Sequence, residues 1–150
     1  MKQKTIIQLW GTADSGKTET IKISKEELII TYINPSHSYT LPLPKGEIND
    51  TLTCNGLKVG IESMGDYLWY GDLNNRLNTL IPSCDIILCA SRVRNDVAKR
   101  IEKLAITHNY RLLKVTNYRG TEPPFSRGNL NQLSAKHIVD LINQVISGVI

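Results

Sequence analysis

The chain has 150 residues, with 18 Lys and Arg against 14 Asp and Glu and a formal net charge of +4. This length suits a single domain over residues 1–150 with its own buried core. The 41% hydrophobic and 21% charged residues exclude a disordered tail, a collagen-like chain and a disulfide-dense scaffold. No apolar run approaches the roughly 18 residues of a membrane span, and the mild positive charge favours anionic partners such as nucleotides.

The first third of the chain is predicted to run from strand to helix to loop. Residues 5–10 read as a short buried strand, and residues 11–17 break the pattern with glycines and small polar side chains. A helix is expected from Thr18. The β-branched residues 28–33 fit either the end of that helix or a strand, and the Pro- and Gly-rich residues 34–46 predict a long loop.

A β-hairpin follows, because Asn55-Gly56 between residues 51–54 and 57–62 is the strongest short hairpin signal. After it, helices and strands alternate. The predicted elements are a helix over 72–80, a strand over 85–90, a helix from Asn95 or Asp96 to Ala105, a strand over 112–115, a loop over 118–131 and a last helix capped by Ser134. This order predicts a three-layer α/β fold whose mostly parallel sheet has one antiparallel hairpin strand.

Residues 11–18 carry the pattern GxxxxGK[ST], which is typical of a phosphate-binding loop. Gly11 and Gly16 permit backbone angles closed to other residues, so the loop can turn its N–H groups inward around an anion. The next helix adds its free N–H groups and the positive end of its dipole. Lys17 is expected to reach the β- and γ-phosphates, and the Thr18 hydroxyl to bind Mg²⁺. The predicted nucleotide-binding residues of the loop are Gly11, Ala13, Asp14, Ser15, Gly16, Lys17 and Thr18.

Besides Thr18, such a loop needs an acidic residue to hold Mg²⁺ or its waters. This residue is expected at the end of a strand adjacent to the first strand. Glu62 ends the second hairpin strand and is the predicted metal-binding and catalytic carboxylate, with Asp66 in reserve. Asp85 begins its strand instead. It is therefore expected at the opposite edge of the sheet, since ligands bind at the carboxyl ends of parallel strands.

On these motifs the whole chain resembles the P-loop NTPase superfamily, in its kinase–GTPase division. Small GTPases have a hairpin followed by Asp-x-x-Gly, where this chain has Glu at residue 62 and Gly65. The resemblance implies that the Gly65 N–H senses a γ-phosphate and that residues 34–46 and 64–71 act as switches. The strand end at residues 116–119 contains Asn117, a predicted nucleotide-binding residue, but lacks the Lys and Asp of the guanine-reading motif. ATP is therefore favoured over GTP.

Small P-loop kinases are the other similar subgroup, because residues 96–101 resemble the helix after their fourth strand. Such kinases need arginines over the transferred phosphoryl group, and Arg92, Arg94, Arg119 and Arg127 lie in predicted loops at the ligand edge. Arg92 is the favoured catalytic arginine because it directly follows the strand.

The resemblance implies an Mg²⁺-dependent phosphohydrolase or small kinase that uses ATP (or GTP), with Lys17, Glu62 and Arg92 as catalytic residues. Its partner would be a small-molecule acceptor. The alternative is a nucleotide-dependent switch or binding module that acts through a protein partner, and a weaker third is a loop that holds an anion structurally. Nucleic acid is disfavoured, since no basic run has interleaved aromatics. An odd number of cysteines without CxxC predicts buried, reduced thiols and a cytoplasmic protein.

Overall fold

The computed structural model describes residues 3–12, 15–36, 45–65, 72–93 and 96–150. Within them, strands and α-helices alternate along the chain, which confirms the predicted α/β class. The elements are β1 Thr5–Trp10, α1 Lys17–Leu28, β2 Asn49–Cys54, β3 Leu57–Glu62, α2 Asp72–Leu80, β4 Ile86–Ser91, α3 Asp96–Thr107, β5 Arg111–Val115 and α4 Arg127–Ser147. No helix of the described part is long and apolar enough to cross a membrane.

The strands form one five-stranded sheet in the order β2-β3-β4-β1-β5. The pair β2–β3 is antiparallel and the other pairs are parallel, as predicted. The expectation that β3 lies beside β1 is wrong, because β4 lies between them. All six residues of β4 are buried, and a strand this apolar is most stable in the middle of a sheet that is covered on both faces.

Helices cover both faces of the sheet, so the described elements form three layers. On one face α1 and α4 contribute Ile21, Leu28, Ile138, Ile142 and Val145 to a core with residues of β1, β3 and β4. On the other face α2 and α3 contribute Leu77, Leu80, Val97, Ile101 and Leu104 to a second core. Burial of these apolar stripes holds both helix pairs against the sheet.

The hairpin prediction is confirmed by its turn. Asn55 and Gly56 both have positive φ angles, of 51° and 81°, which is the geometry of a type I′ turn. The paired register runs from Cys54 and Leu57 at the turn to Asn49 and Glu62 at the far end. The turn therefore fixes the position of Glu62 at the carboxyl end of β3.

Two predicted boundaries differ from the structure by more than two residues. A π-helical turn over Ile29–Ile33 extends α1, so the strand alternative for residues 28–33 is wrong. The last helix begins at Arg127 because Ser126, not Ser134, is its N-cap and accepts a hydrogen bond from the Asn129 N–H at 3.2 Å. Ser134 lies inside α4, where its hydroxyl accepts from the Tyr118 N–H at 2.9 Å. The predicted loop over 118–131 is correspondingly shorter.

Several predicted positions lie outside the described residues. They are Ala13, Asp14, residues 37–44 of the first proposed switch, residues 66–71 of the second with Asp66, and Arg94 and Asn95.

Candidate functional site

The glycine-containing loop over residues 11–18 joins β1 to α1 at the carboxyl edge of the parallel strands. The Gly11 N–H donates to the Ser91 carbonyl at 3.1 Å, which ties the start of the loop to the end of β4. Ligands of open α/β sheets bind at this edge. The loop is therefore at the position that the sequence predicts for it.

Gly16 is the residue on which α1 begins, and only glycine fits there. Its φ of 83° and ψ of 15° are left-handed, and it makes no side-chain cap hydrogen bond to α1. A Cβ at this position would also collide with the Asn131 side chain of α4. Gly11 does not share the positive φ, and its restriction is one of space, since a Cβ would lie 2.9 Å from the Ser15 hydroxyl. The predicted need for unusual backbone angles thus holds for Gly16 alone.

Lys17 closes the loop on itself. Its ammonium donates to the carbonyls of Gly11 at 3.1 Å and Thr12 at 2.7 Å, and to the Ser15 hydroxyl at 3.4 Å. The side chain is buried, and these partners are neutral. These three contacts hold the positive charge at the centre of the loop.

Among the described residues, three adjoining cavities lie around this loop, and Ser15 lines all three. The first, here called the loop cavity, has a volume of about 300 Å³ and is lined by residues 15–19, Ser63, Gly65, Arg127 and Asn131. The second, the helix cavity, has about 400 Å³ and is lined by Thr12, Ser15, Tyr118, Arg119, Gly120, Glu122, Arg127, Leu130 and Asn131. The third, the strand cavity, has about 310 Å³ and is lined by Trp10, Gly11, Thr12, Ser15, Val93, Thr116, Asn117 and Arg119.

The loop cavity brings together several predicted residues. Lys17 and Thr18 line it from the start of α1, and Gly65 lines it from the segment after β3. A Cβ on Gly65 would lie 3.0 Å from the Ala90 carbonyl carbon and 3.1 Å from the Ser91 nitrogen. The missing side chain lets this segment cross closely over the end of β4 toward the loop.

Glu62 is fully buried and its carboxylate is already bound on both oxygens. Oε1 accepts from the Met64 N–H at 2.9 Å and from Arg76 Nε of α2 at 2.8 Å, and Oε2 accepts from Asn49 Nδ2. Burial raises the pKa of Glu62 above its ordinary value, although Asn49, Met64 and Arg76 act in the opposite direction. The carboxylate does not line any of the three cavities, whereas Ser63 and Gly65 line the loop cavity.

A row of polar residues that includes Glu62 crosses the sheet at one level. The strand register pairs, in order across the sheet, Asn49, Glu62, Cys89, Gln8 and Lys114. Gln8 is fully buried in β1, and its Nε2 donates to the Ser91 hydroxyl at 2.6 Å while its Oε1 has no partner among the described residues. Sequence reasoning missed Gln8 because one polar residue in an apolar strand gives no sign of the register.

Asn117 supports the loop from the end of β5. Its Nδ2 donates to the Ser15 carbonyl at 2.8 Å, and the side chain, 8% exposed, lines the strand cavity. Its Oδ1 is buried without a partner among the described residues. The predicted nucleotide-binding residue thus contacts the loop directly.

Arg119 contacts the loop, Arg127 lines two of the cavities beside it, and Arg92 lines none of the three. Arg119 donates to the Thr12 hydroxyl and lines the helix and strand cavities. Arg127 lies in the first turn of α4 and lines the loop and helix cavities. Arg92 is exposed just after β4. Arg92 was predicted because it directly follows a strand. Arg127 lines the cavities because Ser126 is the N-cap of α4, which places Arg127 in the first turn of that helix.

Asp85 lies at the opposite edge of the sheet, as predicted. Its Oδ2 accepts from the Lys58 N–H at 2.9 Å, and its carbonyl accepts from the Thr5 N–H at the start of β1. No group of three or more His, Cys, Asp or Glu within the described ranges could hold a metal ion.

No protein-family model matches the chain, and a search of curated proteins gives no significant match. The class that fold and site define is an α/β protein with a glycine- and lysine-containing loop between its first strand and first helix. The functional interpretation rests on that geometry and on the resemblance of residues 11–18.

Proposed function

We propose that the chain binds an Mg²⁺–nucleoside triphosphate at the 11–18 loop and transfers or hydrolyses its terminal phosphoryl group. One observation carries the proposal. The buried ammonium of Lys17, held by loop carbonyls, lies beside the uncapped start of α1 and lines an open cavity. A positive charge and the N-terminus of a helix that line the same cavity are elements of a phosphate site.

Thr18 and Glu62 are the residues proposed for Mg²⁺. The Thr18 side chain belongs to the lining of the loop cavity, where its hydroxyl can bind the ion directly. Mg²⁺ keeps several waters and needs one or two protein ligands beside the phosphates, so a cluster of carboxylates is not required. Glu62, whose oxygens are bound by other groups, contributes through water.

Catalysis at such a site is mostly positioning and charge stabilisation. Lys17 and the loop N–H groups hold the phosphates, and the N–H of Gly65, which also lines the loop cavity, binds the terminal phosphate. ATP is preferred to GTP because residues 116–119 lack the Lys and Asp of the guanine-reading motif. Asn117 supports the nucleotide side of the loop through Ser15.

A nucleotide-dependent switch is the second candidate, and the position of Glu62 favours it. Glu62 binds Arg76 of α2, and two residues within three positions of it line the loop cavity. A phosphate that contacts Gly65 therefore acts on a segment that is joined to α2. If the protein is such a switch, α2 changes position with the bound nucleotide, and a protein partner detects that change.

Thermal unfolding with ATP, with GTP and without ligand, each with and without Mg²⁺, tests nucleotide binding. Ligand at about 100 times its Kd adds about 2.7 kcal/mol, which raises the Tm of a protein this size by roughly 5–10 °C. We expect this shift with Mg²⁺–ATP in the wild type and none in Lys17→Ala. Lys103→Ala, which removes an exposed charge from α3, should keep the shift. Equal shifts in wild type and Lys17→Ala would refute the proposal.

The two candidate functions differ in turnover and in the protection of α2. A phosphohydrolase should release phosphate rapidly in buffer alone, and a kinase should turn over rapidly once its acceptor is added. A switch should turn over slowly and change hydrogen exchange in α2 when the nucleotide is added. Fast turnover with unchanged exchange in α2 would exclude the switch.

A further inference from the structure

The strand β5 forms one edge of the sheet, and only its inner side is paired. It lies beside β1 at the end of the strand order, and the Arg111 N–H donates to the Lys4 carbonyl at 2.8 Å. Successive residues of a strand direct their backbone groups to opposite sides. The N–H and carbonyl groups of Leu112 and Lys114 therefore point away from β1, where no strand of the described residues pairs with them. Such a row of backbone groups can pair with a strand of another chain.

The apolar side chains of β5 are less well covered than those of the inner strands. All six residues of β4 are buried, whereas Leu112, Leu113 and Val115 are each only half-buried. Leu112 packs against the core that α2 and α3 cover, and the other two pack against the core that α1 and α4 cover. A strand added outside β5 would therefore cover apolar side chains on both faces of the sheet.

A cavity of about 190 Å³, here called the edge cavity, lies at the amino end of β5. It is lined by Thr5, Arg111, Leu112, Leu113, Val145 and Ile150. Next to it, the exposed Val149 and Ile150 follow the end of α4, and the Ile150 carbonyl accepts from Arg111 Nη2 at 3.3 Å. In recognition by strand addition, the backbone supplies affinity and pockets for alternate side chains supply specificity. The edge cavity is such a pocket for an apolar side chain.

The charge at this edge is positive. The Arg111 guanidinium donates to Thr5 Oγ1 at 3.0 and 3.2 Å and to the Ile150 carbonyl, and all these partners are neutral. Lys114 is exposed, and its ammonium pairs with Glu102 of α3. The five residues of β5 thus include two positive charges and no negative one. Because opposite charges on neighbouring strands attract and like charges repel, this edge favours a strand that carries carboxylates.

A second copy of the chain is a poor occupant of this edge. Antiparallel pairing of two β5 strands about Leu113 would place the Lys114 side chains of the two copies diagonally across from each other, at a spacing where charges interact. Exposed lysines on edge strands are one means by which proteins prevent such pairing. An extended segment that alternates apolar residues with Asp or Glu has the complementary charge.

We infer that the β5 edge binds an extended acidic segment of a partner protein, which adds one strand to the sheet. The segment pairs its backbone with Leu112 and Lys114, places one apolar side chain in the edge cavity and pairs one carboxylate with Arg111. This site is separate from the proposed nucleotide site, because the edge cavity lies where β1 and β5 begin and the 11–18 loop follows the end of β1.

Selection of a displayed library of random peptides on the whole chain tests the inference, with peptides of about ten residues so that each can form one strand. We expect the enriched peptides to alternate apolar residues with Asp or Glu. When such a peptide is bound, hydrogen exchange of the Leu112 and Lys114 N–H groups should slow by about tenfold or more. The Leu113 N–H, which already faces β1, should change little.

Substitutions in β5 separate the backbone contacts from the charge. Lys114→Pro removes an outward N–H at an edge position where proline is tolerated, and it should abolish binding. Lys114→Ala is the matched control, since it loses the same side chain but keeps the N–H, and it should retain most of the affinity. Arg111→Gln should weaken the enriched peptides by roughly tenfold, because it removes a charge-assisted hydrogen bond. Lys136→Gln removes an exposed charge from α4 and should bind as the wild type does.

The remaining outcomes each overturn a stated part of the inference. If the selection enriches no peptide, or if the enriched peptides bind Lys114→Pro and Arg111→Gln as they bind the wild type, the β5 site is refuted. If the chain alone dimerises in sedimentation and protects the Leu112 and Lys114 N–H groups, the occupant is a second copy and the acidic partner is wrong. ATP binding without peptide binding refutes this inference alone, whereas peptide binding without ATP binding refutes the proposed function alone.

Discussion

A methyl group at position 16 tests how the start of α1 meets α4. Gly16→Ala places a Cβ at a φ of +83°, 2.8 Å from Asn131 Nδ2 and 2.9 Å from Asn131 Cγ. The left-handed backbone costs an ordinary residue roughly 1–2 kcal/mol, and crowding in a packed region costs about 1–3 kcal/mol more. We expect the free energy of unfolding to fall by about 2–5 kcal/mol from these two sources together.

Urea denaturation of four variants separates the two contributions. Gly56→Ala shares the positive φ, at +81°, but its Cβ would meet nothing within 4 Å, so it should lose only the backbone part. Combining Gly16→Ala with Asn131→Ala should recover much of the steric part, and the Asn131→Ala single variant completes the cycle. If Gly16→Ala destabilises no more than Gly56→Ala, the close approach of α4 to the loop is wrong.

Two further predictions concern buried polar groups. Burial raises the pKa of Glu62 above 4.5, so the folded state takes up a proton on this carboxylate at a higher pH than the unfolded state does. The free energy of unfolding should therefore rise as the pH falls from the raised pKa to about 4.5. Denaturation of Glu62→Gln across this range should lack that rise, and an unchanged profile would contradict the assignment. The single hydroxyl hydrogen of Tyr110 is shared between the carbonyls of Ile81, at 2.9 Å, and Cys84, at 2.6 Å. Tyr110→Phe should therefore lower the unfolding free energy by about 1–3 kcal/mol, and a loss below the error of urea denaturation would count against this hydrogen bond.

The elements that could be predicted are those whose signals are local. Asn55-Gly56 specifies its own turn, and the apolar run of β4 and the stripe of α3 each show their period within a few residues. The strand order was not predictable in this way. Nothing in β1 or β3 says that β4 lies between them, because that choice depends on which strand gains most from being covered on both faces.

The site was predicted where it is continuous in sequence and missed where it is assembled from distant segments. The 11–18 loop carries its own pattern, whereas Asn131 is one polar residue inside a helix. Its position depends on where α4 begins, because only a helix that starts at Ser126 rather than at Ser134 includes Asn131. Both serines are suitable N-cap residues in the sequence. In the structure Ser126 has that role, and the Ser134 hydroxyl accepts from the Tyr118 N–H instead.

The contacts of Glu62 limit how it can serve Mg²⁺. Direct coordination through Oε1 would require this oxygen to give up the Met64 N–H or Arg76, and loss of the carboxylate partner is unfavourable for a partly buried guanidinium. Arg76 Nη2 has no hydrogen-bond partner among the described residues. No second acceptor in this part of the chain would therefore replace the Glu62 carboxylate. Coordination through water leaves these bonds in place. Glu62 then acts by its charge and by holding the segment that brings Ser63 and Gly65 to the loop cavity, while Thr18 binds the ion directly.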